Sequence, residues 1–156
     1  MNRNRRVALK SAGLSSMLVA GFATGLLRPA DALAIEWNQD AFHAKNVADA
    51  LQKLGAQNPV DSGDITIKAP DIAENGAVVP IDITSDIPGT ERITVLIDKN
   101  PFPYVGSFDF TKGALPYVHV RVKMGESSNV RVIATANGKH YQAVKEVKVT
   151  IGGCGG

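Results

Sequence analysis

Residues 118–151 read VHVRVKMGESSNVRVIATANGKHYQAVKEVKVTI, and this stretch decides the fold. Val118, Val120, Val122 and Met124 stand at every second position, Val130, Val132 and Ala134 repeat the pattern, and Val147, Val149 and Ile151 close it. A period of two puts alternate side chains on opposite faces of a pleated strand, so each run is a half-buried β-strand. Asn137-Gly138 interrupts the series. Both central residues of a type I′ turn need positive φ, which Asn and Gly adopt most readily, and the dipeptide predicts a tight hairpin.

Towards the N-terminus the alternation recurs at Ile65, Ile67 and Ala69, at Val79, Ile81 and Ile83, at Ile93, Val95 and Ile97, and at Phe108 and Phe110. Asn75-Gly76, Pro88-Gly89, Lys99-Asn100-Pro101 and Lys112-Gly113 supply turn chemistry between them. Short strands without interspersed helices predict a mainly β chain folded as an immunoglobulin-like antiparallel β-sandwich. The Cys pair and core Trp of antibody domains are missing, since Trp37 precedes the strands and Cys154 is the only cysteine. The likeness is therefore one of architecture.

One helical segment precedes the strands. In 38–54, NQDAFHAKNVADALQKL, the residues Phe42, Val47, Ala50, Leu51 and Leu54 fall near one face, which predicts a single N-terminal amphipathic helix. Gly55 and Pro59 follow as stop signals.

With 156 residues, 44% of them hydrophobic and 21% charged, the chain has the material for one core and neither the composition of a disordered segment nor that of a disulfide scaffold. Its excess positive charge sits at the front. Residues 1–34 hold Arg3, Arg5, Arg6, Lys10 and Arg28 against Asp31; without them 12 basic and 14 acidic residues remain. That balance excludes the basic footprint of a nucleic-acid binder.

The same segment reads as an export signal of residues 1–34: a basic start, an apolar stretch over 11–27, and Ala32-Leu33-Ala34 as a cleavage site between Ala34 and Ile35. Arg5-Arg6, within NRRVALK, is similar to the twin-arginine motif, whose route carries folded proteins to the periplasm. The apolar stretch is shorter than the roughly 20 residues of a transmembrane anchor, so no membrane partner is expected. The mature chain then divides into a helix-plus-sandwich body, 35–151, and a tail, 152–156.

His43, His119 and His140 lack metal-site spacing and read as solvated surface histidines. Asp61, Asp64, Asp71, Glu74, Asp82 and Asp86 are scattered enough for solubility to explain them, and no catalytic constellation, metal or cofactor is indicated.

The tail differs. Cys154 is flanked by Gly152, Gly153, Gly155 and Gly156, with no side chains to pack around it. Glycine supplies backbone freedom and minimal cross-section, which suits a flexible arm threading into a narrow pocket. No Lys, Arg or His adjoins the thiol, so its expected pKa is near the unperturbed value of about 8.5. Such a thiol needs activation by a partner, which favours a carrier over an enzyme. The alternative is a structural periplasmic interaction protein whose terminal cysteine only forms an intermolecular disulfide.

A twin-arginine leader, a small β-rich body and a terminus KVTIGGCGG together resemble the SoxY family, sulfur-carrier subunits of the periplasmic thiosulfate-oxidising Sox system. GGCGG matches the family's arm residue for residue, and Lys99-Asn100-Pro101-Phe102-Pro103 is similar more loosely. The resemblance implies that Cys154 is the covalent attachment point for thiosulfate-derived sulfur. It further implies a heterodimer with SoxZ and transient contacts with SoxAX, SoxB and SoxCD, the carrier itself being non-catalytic and cofactor-free. Two chains are also able to couple through a Cys154 disulfide.

Overall fold

The computed structural model describes residues 38–150. The predicted export segment with Arg5, Arg6, Ala34 and Ile35, as well as Trp37, Ile151 and the tail with Cys154, lie outside the described residues. Two short helices, α1 (Gln39–Phe42) and α2 (Val47–Lys53), precede nine strands. These are β1 (Val60–Asp61), β2 (Ile65–Lys68), β3 (Ile72–Ala73), β4 (Val79–Ser85), β5 (Thr90–Ile97), β6 (Tyr104–Asp109), β7 (Tyr117–Val122), β8 (Ser128–Ala136) and β9 (Lys139–Val149). No helix among the described residues is long and apolar enough to cross a membrane.

The strands form two sheets. The larger runs β1-β9-β8-β5-β6, with β3 also pairing β9; the smaller runs β2-β4-β7. Ile65, Val79, Ile81, Ile83, Val118 and Val122 point inward from the small sheet. They meet Ile93, Val95, Ile97, Val130, Val132, Ala134 and Val147 of the large one. The period-two positions are thus the core of a sandwich, as the sequence predicts. Asn137 and Gly138 have φ of 51° and 71°, and Ala136 lies opposite Lys139, so the predicted hairpin turn joins β8 to β9.

The sheets are antiparallel except at one edge. β1 and β3, two residues each, run parallel to β9 at its opposite ends, pairing Val60 with Tyr141 and Ala73 with Val149. Neither is long enough to leave an alternating signature.

The predicted single helix is two. Asn46 is extended at φ −150° and ψ 163°, and its side chain accepts the Asp49 N–H at 2.8 Å, so it caps α2 instead of continuing α1. An Asn side chain satisfies one of the orphan N–H groups of a helix start, an option that competes with helix continuation. Asn38 caps α1 through Ala41 N–H and donates its amide to the Lys53 carbonyl at 2.9 Å, tying the helices together. The stop is as expected. Gly55 has φ 67°, and Gly55 and Ala56 donate back to Gln52 and Leu51, closing a Schellman motif.

The helices seal part of the large sheet's outer face. Ala41, Ala44, Ala50, Leu51 and Ala56 pack with Leu96, Tyr104 and Ile133, forming a second core on the far side of β5 and β8. Val95-Leu96-Ile97 and Val132-Ile133-Ala134 are consequently buried on both faces.

Candidate functional site

Among the described residues the chain approaching Cys154 is β9, and the sequence explains why that strand is secure. Its inward positions Tyr141, Ala143, Val147 and Val149 contribute to the sandwich core, while β8 pairs with it from Ala136 opposite Lys139 to Ser128 opposite Val147. Beyond Val147 other groups take over. Val149 N–H donates to Ser127 Oγ at 2.9 Å, Lys148 N–H to the Asp71 carbonyl at 3.0 Å, and Thr150 N–H to the Ala73 carbonyl at 3.1 Å. Thr150 Oγ1 also donates to the Glu74 carbonyl at 3.0 Å. Lys145 Nζ meets Asp71 at 2.7 Å, and this hydrogen bond and its charge hold the Asp71 carboxyl below its ordinary pKa.

The segment Lys99-Asn100-Pro101-Phe102-Pro103 contributes to the same end of the molecule. Asn100 donates to the Lys123 carbonyl at 2.7 Å and accepts Gly125 N–H at 3.2 Å, bracing the loop that carries Ser127. Lys99 N–H donates to Ser128 Oγ at 2.9 Å. On its other side Phe102 lies under Lys45 Nζ, 3.7 Å from the ring centroid, linking the loop to the chain between the helices.

The histidines are not brought together. His43 closes α1 through the Gln39 carbonyl, and His140 bonds Thr135 at 3.1 Å. His119 is not simply solvated: its Nδ1 lies 2.9 Å from Asp82 Oδ1, which also accepts the Tyr117 hydroxyl. The Tyr117 bond first, then that of His119, lowers the Asp82 pKa, and the same Asp82 bond raises that of Tyr117. This trio sits on the outer face of the small sheet, with Asp82 paired to His119 across β4 and β7. Sequence reasoning missed it because the strand register that joins residues so far apart in the chain is not written in either strand.

Of the remaining carboxylates, Asp61 accepts the Gln142 amide at 2.9 Å and Asp86 N–H donates to the Asp64 carbonyl. No group of three or more potential metal ligands occurs among the described residues. A groove beside the helices, about 670 Å³, is lined by Val47, Leu51, Asn58, Arg131 and Gln142. Arg131 is already committed there to Asp98 and Gln142. The one cysteine lies four residues beyond Thr150.

The family described as "Sulfur oxidation protein SoxY" matches residues 51–154, a span that ends on Cys154. The structure of the sulfur carrier protein SoxY from Chlorobium limicola f thiosulfatophilum is 44% identical, covering 65% of this chain and 92% of that one with a TM-score of 0.59. A superoxide reductase (neelaredoxin) from Ignicoccus hospitalis T24K also aligns, at 22% identity over 55% of this chain and 78% of its own, with a TM-score of 0.48. No curated protein sequence matches the chain.

Proposed function

The chain belongs to the SoxY family of sulfur oxidation proteins, and from that premise we propose that it is a sulfur carrier that holds its cargo covalently on Cys154. The observation that carries this reading is the position of the chain's only cysteine. It closes the family match, five residues past the end of a strand bound from both sides, within a run of glycines.

In the proposed cycle the Cys154 thiol and thiosulfate join through a new S–S bond, releasing the thiol proton and two electrons to the haem enzyme SoxAX. Water then cleaves the S–SO₃ bond with SoxB, leaving a persulfide on Cys154 and freeing sulfate. Oxidation of the remaining sulfur by SoxCD, followed by hydrolysis, restores the thiol. The carrier contributes position and passage, and the partners contribute catalysis. SoxZ completes the proposed heterodimer. Arg5 and Arg6 direct the folded pair to the periplasm by twin-arginine export, with cleavage between Ala34 and Ile35.

Intact mass of the mature protein from cells grown on thiosulfate, with and without reductant, tests this. Reductant-labile additions of sulfur or a thiosulfate group, mapped to the C-terminal peptide and absent from Cys154→Ser, are expected. A clean thiol with a disulfide dimer as its only oxidised form would sink the carrier reading and leave the structural interaction protein.

A further inference from the structure

The antiparallel ladder between β9 and β8 stops at Val147, because its partner Ser128 is the first residue of β8. Val149 N–H is therefore beyond the reach of the ladder, and Ser127 Oγ takes the place of the missing carbonyl at 2.9 Å. On the opposite edge the Asp71 and Ala73 carbonyls accept from Lys148 and Thr150, at 3.0 and 3.1 Å. Consecutive N–H groups are thus held alternately from the two sides, and the Thr150 hydroxyl adds a bond to Glu74 at 3.0 Å. Hydrogen bonding persists past the end of the β8 ladder, through the short parallel pairing with β3 and on to Thr150, four residues before Cys154.

We propose that Ser127 and Thr150 are positioning residues for the cysteine: they form a two-sided clamp that sets the point from which Cys154 is presented. The inference rests on the carrier reading of Cys154. Four residues separate Thr150 from Cys154, so with the clamp shut the sulfur stays within about 14 Å of Thr150. Were the clamp bonds lost together with the backbone bonds of Lys148 and Thr150, the tether would start at Val147 and its reach would grow to about 24 Å. The effective concentration of the sulfur at a site matched to the shorter tether would then fall about twofold, since it scales roughly as the −3/2 power of tether length. The clamp keeps the cargo close to whichever surface the body docks on.

The test uses the mature protein with spin labels on Cys154 and on Lys139→Cys at the far end of β9. Ser127→Ala and Thr150→Val are each expected to widen the distribution of distances between the labels. Each is also expected to speed amide exchange of Val149 and Thr150 about tenfold, the loss of roughly one hydrogen bond. Ser127→Thr restores both readings, and unchanged exchange at Val132 and Ile133 shows that the sheet is intact. A distance distribution and exchange rates unaltered by Ser127→Ala would overturn the proposal. Neither readout needs sulfur on Cys154, so failure of the clamp and failure of the carrier reading are separable.

Discussion

The two sheets treat their outer faces differently. On the large sheet Leu96 and Ile133 are fully buried beneath the helices, and Thr94 bonds Ser107 in a polar patch beside them. On the small sheet nothing among the described residues covers Pro80, Asp82 and Thr84 of β4 or Tyr117, His119 and Arg121 of β7, and polar side chains pair with one another there. One face is held by exclusion of water and the other by interactions that water competes with. The same architecture therefore contains a face where a lost methyl matters and one where it does not.

Leu96→Ala breaks the sealed face most severely. It deletes apolar volume from a closed site and should cost about 2–5 kcal/mol, read as a lower denaturant midpoint in urea unfolding. Thr84→Ala on the bare face should stay within about 0.5 kcal/mol in the same assay. A cost for Thr84→Ala equal to that for Leu96→Ala would erase the comparison.

Gly55→Ala is an intermediate perturbation, because it forces a Cβ into the left-handed region at φ 67° without meeting any atom within 4 Å. About 1 kcal/mol is expected, from conformation alone. The loss should appear first as faster amide exchange in α2, with the strands unaffected.

Tyr117→Phe sharpens the other side. Asp82 is solvent-accessible on the bare face, so stability at neutral pH should scarcely change, but its carboxyl pKa should rise towards 3.8 as the main cause of its depression is removed. A depressed carboxyl contributes stability that is complete above its unfolded pKa and lost as pH falls through the folded one. The native protein should therefore lose this contribution only below about pH 4. Tyr117 works at the alkaline end: its raised pKa contributes stability up to the ordinary value of 10.0, lost as pH climbs through the folded value. An NMR titration of Asp82 in both proteins reads the acid limb directly, and an identical Asp82 curve in Tyr117→Phe would contradict the hydrogen-bond assignment.

How much of this the sequence discloses depends on the range of the interaction. Alternation at Val79, Ile81 and Ile83 or at Val118, Val120 and Val122 is a local property, and the inward face follows from it. The doubly buried segments also leave a local trace, since Val95-Leu96-Ile97 and Val132-Ile133-Ala134 break the polar-apolar rhythm. That trace marks where the helices dock. The break at Asn46 is legible only once the competition between capping and continuation is weighed, because the apolar spacing of Phe42 and Val47 fits one helix as well as two. The clamp leaves no trace at all: Thr150 bonds Glu74 across 76 residues and Ser127 reaches Val149 across 22. Cys154, conversely, stands out in the sequence through its glycines, and the described structure contributes the strand that leads to it.

The strand order of the large sheet has a consequence for the timing of synthesis. β8 and β9 stand at its centre, yet they are the last of the described strands to leave the ribosome. Until they emerge β5 has only β6 beside it, β1 and β3 have no partner, and the inward side chains of the small sheet face nothing closed. The sandwich must therefore assemble after translation has passed residue 149, in a single late event.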